Sequence, residues 1–189
     1  VISPDPVCAG TKTYTYTYTA CDNTAYTWVY TYTISAPTVV MPAAGGSTVA
    51  CPADAVAPVP PAVTDNCGRT IVPSAPVISA APACAGVITY TYTYTACDNS
   101  SYTWVYTYTI SPPTFTLPAA GAATVACISD AQVVPTPPVV NNSCGAPLTL
   151  TGPVVGADPV CSGTKTYTWT YTDCTGTSYT NTASALLPP

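Results

Sequence analysis

The sequence contains no histidine, no glutamate and only three basic residues among 189. General acid–base catalysis needs convergent side chains with tuned pKa values, and these residue types are its usual carriers. The shortage of lysine and arginine, with a formal net charge of −5, also argues against nucleic acid and anionic membrane surfaces as partners. We therefore expect a protein that is not an enzyme and that needs no cofactor.

Long apolar runs are missing as well, since no stretch approaches the roughly 20 residues of a membrane-spanning helix. We expect no membrane insertion. The sequence starts without methionine and shows no signal peptide, which favours a mature chain or a window cut from a longer one. Ten cysteines without histidine or a C-x-x-C pair favour disulfides over zinc, and hence an oxidising, extracellular location.

What the chain does contain is an internal repeat, which its cysteines make visible. An interval of 76 or 77 residues separates equivalent cysteines in four sets: Cys8, Cys84 and Cys161; Cys21, Cys97 and Cys174; Cys51 and Cys127; Cys67 and Cys144. A fixed period of this kind indicates an array of similar modules. Arrays of small modules usually build length or multivalency instead of a single catalytic pocket.

The repeat predicts three modules. Residues 1–34 supply only the last two strands of a partial module, residues 35–111 form a complete module, and residues 112–189 form another with an atypical last strand. The aromatic residues of that strand are replaced by Asn181, Ala183 and Ala185. Because the proline-containing joints between modules are short and stiff, we expect a semi-rigid rod.

Each module is expected to be entirely β. Val87–Thr95 and Tyr102–Ile110 alternate threonine with aromatic or β-branched residues, a pattern typical of paired strands. A short polar turn completes a long hairpin, which recurs at Lys12–Thr33 and Lys165–Leu187. Shorter strands are expected at Ser47–Cys51, Thr70–Ser79, Ala123–Cys127 and Leu148–Val155. About seven strands per module predict an antiparallel sandwich of immunoglobulin type.

Several short segments resemble a known family: CPAD at Cys51, DNCG at Asp65, ACAG before the Thr-Tyr strand, and CDN followed by YTWVYTYT at Cys97. They are similar to hyalin-repeat-like (HYR-like), immunoglobulin-fold tandem repeats of very large bacterial secreted or surface proteins. The resemblance covers essentially the whole chain. It implies an extracellular adhesin stalk or filament made of many tandem copies.

The four cysteines of a complete module allow three pairings. Cys84 and Cys97 flank a strand of roughly 30 Å, whereas a disulfide needs Cα atoms within about 7 Å, so these two cannot bond. Of the two remaining pairings, sandwich topology favours the one that joins loops at the same end. We therefore predict the disulfides Cys51–Cys84, Cys67–Cys97, Cys127–Cys161 and Cys144–Cys174. Redox-active thiols are disfavoured, because no basic neighbours would lower their pKa.

The alternating strands leave open which of their faces is buried. In one interpretation the aromatic residues point inward against small residues of the facing sheet. In the other they form an exposed face that stacks on sugars or on a neighbouring chain. That candidate aromatic face consists of Tyr90, Tyr92, Tyr94, Trp104, Tyr106 and Tyr108. The Thr-x-Thr ladders also resemble ice-binding surfaces, although the proline-rich, twisted module disfavours the flat face that such binding needs.

The aspartates are candidates for capping turns, and two asparagines are candidates for glycosylation. Single aspartates such as Asp22 and Asp98 recur in turns, where they usually cap backbone N–H groups. No dense D-x-D-x-D run is present, so no metal site is expected. Asn99 and Asn141 begin N-x-S/T motifs and are candidate glycosylation sites. A sugar coat would also keep a weakly charged, tyrosine-rich chain soluble.

The partial first module raises one further expectation. Its two strands lack the strands that should cover their apolar face, and an isolated hairpin is marginal in water. Cys8 and Cys21 cannot bond each other, because the strand between them is too long. We expect both at an inter-module or inter-subunit junction, where an earlier part of the polypeptide or a neighbouring subunit completes the module.

Together these patterns predict a structural, non-enzymatic subunit or segment of an extracellular fibre or adhesin stalk, glycosylated and assembled head to tail. Its partners would be copies of itself or further modules of the same chain, and glycans. The alternative is a carbohydrate-binding adhesive module that uses the exposed aromatic face. Burial of that face would favour the structural function, and exposure would favour the adhesive one.

Overall fold

The computed structural model describes the whole chain, Val1–Pro189, and its fold is nearly all β. The strands are β1 (Gly10–Thr19), β2 (Ala25–Ile34), β3 (Gly45–Val49), β4 (Val63–Thr64), β5 (Thr70–Ile71), β6 (Val77–Ile78), β7 (Gly86–Thr95), β8 (Ser101–Ile110), β9 (Ala122–Thr124), β10 (Thr149–Val155), β11 (Gly163–Thr172) and β12 (Ser178–Leu187). The only helical elements are two 3-10 turns of three residues, Pro52–Asp54 and Asp130–Gln132. No helix is long and apolar enough to span a membrane.

The strands form sandwich sheets, as the sequence predicts. The second module, residues 35–111, contains a four-stranded sheet in the order β3-β8-β7-β6 and the two-stranded sheet β4-β5. The third module, residues 112–189, contains the sheet β10-β11-β12-β9, and the first module contributes only the antiparallel hairpin β1-β2. One pairing departs from an antiparallel sandwich, because the edge strand β9 runs parallel to β12.

The modules hold fewer strands than the seven predicted, six in the second and four in the third. Proline shortens the strands of the second module. The segment predicted as one strand over Thr70–Ser79 contains Pro73 and Pro76 and is broken into β5 and β6. Proline has no N–H to donate to a ladder, so it restricts pairing to short stretches.

The three hairpins close through tight turns that need a residue with positive φ. Asn23 and Asn99 adopt φ of 65° and 66°, and Gly176 occupies the equivalent turn position with φ of 85°. Asp98 Oδ1 accepts a hydrogen bond from the Ser100 N–H at 3.0 Å, and the Ser100 hydroxyl donates to the same carboxylate. Hydrogen bonds from Ser100 hold the pKa of Asp98 below its ordinary value of 3.8. The turn aspartates therefore act as caps.

The backbone groups into two compact units, each of which contains one junction between modules. One unit comprises Val1–Gly46, Ala57–Ser79 and Thr89–Thr107, and it includes the joint between the first and second modules. The other comprises Ser47–Val56, Ala80–Ile88 and Tyr108–Pro189, and it includes the joint between the second and third.

Proline-rich segments form the layer that covers the aromatic face of the hairpins in the second and third modules. The hydroxyls of Tyr92 and Tyr94 donate to the carbonyls of Pro58 and Pro61 at 2.6 and 2.7 Å. In the third module Tyr171, which is equivalent to Tyr94, donates to the Pro138 carbonyl at 2.8 Å. A segment outside a ladder keeps its carbonyls available, so these contacts satisfy buried hydroxyls that would otherwise be costly.

Close packing of the aromatic face also constrains β3, the strand next to β8 in the same sheet. The Trp104 indole donates to the Ala43 carbonyl at 2.8 Å, and its ring lies 5.8 Å from that of Tyr92. A Cβ on Gly45 would stand 2.5 Å from the Tyr106 ring, so β3 begins with a residue that has no side chain. In the third module Asn181 replaces the tryptophan and donates to the Pro118 carbonyl at 2.7 Å.

Candidate functional site

The three disulfides of the chain all join one module to the next. Cys8 bonds to Cys97, Cys51 to Cys144 and Cys84 to Cys174, with sequence separations of 89, 93 and 90 residues. Their Cα–Cα distances are 5.4–5.6 Å, within the range of a disulfide. The joints between modules are thus covalently closed and form the candidate functional site of this protein.

The bonds obey one rule when each cysteine is named by its place in the module. The first kind comprises Cys51 and Cys127, the second Cys67 and Cys144, the third Cys8, Cys84 and Cys161, and the fourth Cys21, Cys97 and Cys174. Bonds run from a first cysteine to the second cysteine of the following module, and from a third to the fourth of the following module. No bond lies within a module.

The predicted pairings Cys51–Cys84, Cys67–Cys97, Cys127–Cys161 and Cys144–Cys174 are therefore wrong. The expectation that Cys51 and Cys84 lie at the same end of the module is correct, since both residues line one pocket. That pocket also contains Cys144 of the next module, which occupies the place of the expected partner. The end of a module faces its neighbour, so cysteines at that end bond outward.

Four cysteines carry free, exposed thiols: Cys21, Cys67, Cys127 and Cys161. Of the two cysteines expected at a junction, Cys8 is bonded to the second module, whereas Cys21 has no partner within this chain. No group of three or more potential metal ligands comes together anywhere in the structure.

Arg69 supports the joint between the first and second modules. Its Nη1 donates to the Val7 carbonyl at 2.8 Å, its Nη2 lies 2.9 Å from Cys97 Sγ, and its Nε donates to Asp65 Oδ2 at 2.9 Å. The backbone N–H of Arg69, with those of the guanidinium and Cys67, holds the pKa of Asp65 below 3.8. One side chain thus links two modules and their disulfide.

Sequence reasoning missed this role of Arg69, although a signal was present. Asp65 and Arg69 of the second module correspond to Asn142 and Ala146 of the third. The charged pair is replaced as a pair, which indicates that the two side chains interact. Asn142 Oδ1 still accepts the two backbone hydrogen bonds, from Cys144 and Ala146 at 3.0 Å.

In two modules a lysine–aspartate ion pair joins the first hairpin strand to the segment before it, and this pair was also missed. Lys12 pairs with Asp5, and Lys165 pairs with Asp158. The second module has apolar residues at both corresponding positions, so this pair too is replaced as a unit. Hydrogen bonds from Lys165, and then Gln132, lower the pKa of Asp158.

The candidate aromatic face is buried in the second module, which decides there between the two interpretations that the sequence left open. Trp104 is 7% exposed, and Tyr90, Tyr92, Tyr94 and Tyr108 are buried as well, while Tyr106 is partly buried. The proline-rich layer covers these rings and would exclude a sugar from them. The inward interpretation is confirmed for this module.

The equivalent face of the first module is open. Trp28, equivalent to Trp104, is 52% exposed, and a groove of about 320 Å³ is lined by Tyr14, Tyr16, Trp28, Tyr30 and Tyr32. The first hairpin has the same aromatic residues as the second but, within residues 1–189, no proline-rich layer precedes it. The exposed rings therefore lack the layer that covers their counterparts in the second module.

The candidate glycosylation residues are both on the surface. Asn99 is exposed in the hairpin turn, and Asn141 is exposed beside the second cysteine of the third module. Neither asparagine side chain is covered by the fold. Their modification remains a prediction.

No curated protein matches this sequence. Among solved structures, the extracellular domain of protocadherin GammaB4 is similar at 11% sequence identity and a TM-score of 0.33, over 96% of this chain. The chain spans 40% of the length of that protocadherin chain.

The family is shown by a sequence profile of the HYR-like domain with four cysteines. It matches the chain three times, at residues 1–34, 39–110 and 115–183. These matches include all ten cysteines, and therefore every bonded and free thiol. The protein is a member of the family of HYR-like domains with four cysteines, present here as consecutive repeats.

Proposed function

We propose that the chain is a structural, non-enzymatic segment of an extracellular fibre or adhesin stalk built from tandem HYR-like modules. The observation that carries the proposal is the placement of all three disulfides between modules. A disulfide inside a module stabilises that module alone, whereas one across a joint restrains two neighbouring modules relative to each other. Disulfide-rich HYR-like repeats indicate an extracellular domain, and such locations maintain these bonds.

The joints support the proposal of a rod-like arrangement. The second and third modules are linked by two disulfides, Cys51–Cys144 and Cys84–Cys174, and two separate bonds restrain twisting more than one does. The proline-containing linker between these modules adds stiffness. We expect neighbouring copies or further modules to continue the rod.

Electron microscopy of the native material, by negative stain, tests this function. The expected result is a linear array of small modules that keeps its continuity in denaturant. Where neighbouring subunits are separate copies, addition of a reductant as well should break the array into single polypeptides. Discrete globular particles under both conditions would contradict the fibre or stalk. Reduction alone serves as the control for effects of the reductant on folded modules.

Glycosylation belongs to the same proposal. The chain has a net charge of only −5 over 189 residues, and its exposed surface includes large apolar side chains such as Val59 and Val160. Sugars on threonine, serine or the two candidate asparagines would improve solubility. An intact mass equal to the unmodified 19.3 kDa chain, less the hydrogens lost in disulfides, would remove this part of the proposal.

The structure gives the adhesive alternative no support in the second module, because the rings that would stack on sugars are buried. Binding of oligosaccharides to the chain would have to use the open face of the first hairpin. A glycan array probed with the wild-type chain and with a Trp28→Ala variant separates the two functions. We expect no tryptophan-dependent binding.

A further inference from the structure

We propose that Cys21, Cys67, Cys127 and Cys161 are halves of inter-module disulfides. Each takes as its partner one defined kind of cysteine in an adjacent HYR-like module outside residues 1–189. The inference deepens the proposed array and rests on it. It assigns a covalent partner to each of the four thiols that the structure leaves free.

Equivalent positions elsewhere in the chain show what these thiols do. Each free cysteine belongs to a kind of which another member is bonded. Cys127 is equivalent to the bonded Cys51, and Cys67 to the bonded Cys144. Cys161 is equivalent to Cys84, and Cys21 to Cys174, which bond each other. The free thiols are therefore not isolated cysteines, since every one has a bonded counterpart in the same local sequence.

The bonding rule also predicts which cysteines must be free. Partners lie 89–93 residues apart in sequence. Counting back by this distance from Cys21 or Cys67 passes Val1, and counting forward from Cys127 or Cys161 passes Pro189. All six cysteines whose rule-given partner lies within the chain are bonded, and all four whose partner lies outside it are free. The pattern has no exception.

The cysteines at the two ends of the chain are of complementary kinds under this rule, and in a head-to-tail pair of copies the rule joins Cys161 to Cys21. The third module offers a first and a third cysteine, Cys127 and Cys161, which require a second and a fourth cysteine from a following module. The N-terminal side offers a fourth and a second cysteine, Cys21 and Cys67, which require a third and a first cysteine from preceding modules. Two thiols at the same end of the chain are not partners under the rule, so modules can be added only head to tail.

The bond-forming step needs an oxidant. Two thiols lose two protons and two electrons and form one S–S bond, while a disulfide oxidant is reduced to two thiols. Disulfide-exchange oxidants of this kind are typical of the compartments in which secreted proteins fold. The exposure of all four thiols lets both an oxidant and a partner module reach them.

Non-reducing peptide mapping of the native material is the first test. Free thiols are alkylated before digestion with chymotrypsin, which suits a chain with 15 tyrosines and three basic residues. We expect that Cys21, Cys67, Cys127 and Cys161 are not alkylated, because they are already bonded in the native material. Cys127 should be linked to a DNCG-type peptide and Cys161 to a hairpin-turn peptide. Alkylated thiols, glutathione adducts, or bonds between cysteines of one kind would overturn the proposal.

The partner peptides also identify the source. Partner sequences from residues 1–189 place the neighbour in a second copy, and further HYR-like sequence places it in the same polypeptide. A fibre with four alkylated thiols would refute this inference and leave the proposed function standing. Bonds that follow the rule in a particle that is not a fibre would support this inference and contradict the proposed function.

A mixing experiment tests the second-copy source directly. One variant, Cys21→Ser/Cys67→Ser, keeps only the thiols of the third module, and a Cys127→Ser/Cys161→Ser variant keeps only the other two. In a glutathione redox buffer, the mixture should form reductant-sensitive heterodimers while each variant alone stays monomeric. Homodimers forming as readily as heterodimers would overturn the rule. Monomers in all three samples would assign the partner to the same polypeptide.

Discussion

Lys165 is only 4% exposed, and its ammonium group donates to the carboxylate of Asp158, seven residues earlier and itself half exposed. The second module has Ile88 and Ala81 in these two places, and Ile88 is buried to the same extent. The position therefore accepts either a buried hydrocarbon or a buried cation with a partner. A cation without its partner is the costly case, because burial removes water from the charge.

This relationship predicts the outcome of a two-step exchange. Asp158→Ala leaves Lys165 buried without its anion and should lower the midpoint of urea unfolding. The double variant Asp158→Ala/Lys165→Ile copies the second module and should recover most of that loss. Fluorescence of tyrosine and tryptophan reports the transition. Equal midpoints for the single and double variants would contradict the buried charge as the cause.

The contrast between Tyr94 and Tyr18 predicts a large difference between two substitutions in the same sequence context. Tyr94 is 0% exposed, whereas the equivalent Tyr18 is 61% exposed. Tyr94→Ala should cost roughly 3–5 kcal/mol, because it leaves a cavity in the core. Tyr18→Ala should cost less than about 0.5 kcal/mol as a surface change.

A third variant isolates the hydroxyl of Tyr94. Tyr94→Phe leaves the Pro61 carbonyl without its donor and should cost about 1 kcal/mol. Denaturant titrations compare the three variants. Similar losses for Tyr94→Ala and Tyr18→Ala would show that the first hairpin is covered in solution.

Disulfides between modules predict strong stabilisation of the joints. Cys51 and Cys144 are separated by 93 residues, and loop-closure entropy gives such a bond about 4.6 kcal/mol. The double variant Cys51→Ser/Cys144→Ser should therefore unfold at clearly lower denaturant concentration. Cys127→Ser is a matched control, because Cys127 is of the same kind and is free. An equal effect of both changes would argue against the bond.

The hairpins could be predicted from the sequence because their pattern has one physical meaning. Strict alternation of threonine with tyrosine puts all the rings on one face, and the structure has β7 and β8 within one residue of the predicted ends. The burial of that face could not be decided in advance. It depends on the proline-rich segments, which have no periodicity that reports their contacts.

The cysteine pairing could not be predicted for a different reason. In a repeat every kind of cysteine recurs in each module. The same set of cysteines is therefore compatible with bonds within modules and with bonds between modules. Topology indicates that Cys51 and Cys84 share an end, but not which module supplies their partners. The informative residue was Cys8, whose own partial module contains only Cys21, a cysteine that it cannot reach.

Asp65 predicts how the first joint responds to acid. Hydrogen bonds from Arg69 and Cys67 lower the pKa of Asp65 below its ordinary value of 3.8. A lowered folded-state pKa means that its contribution to stability is complete above about pH 5. That contribution is lost as the pH falls through the unfolded value and then through the folded one.

The third module supplies the control for this acid response. Asn142 accepts the same backbone hydrogen bonds as Asp65 without a charge, and Ala146 stands in the place of Arg69. Asp65→Asn/Arg69→Ala copies that arrangement into the second module. Thermal unfolding between pH 2 and pH 7 should show a smaller loss of stability for the variant than for the wild type. The other turn aspartates also have lowered pKa values, so both proteins should lose some stability. Parallel pH profiles would show that the Asp65–Arg69 pair does not contribute to the acid sensitivity of this joint.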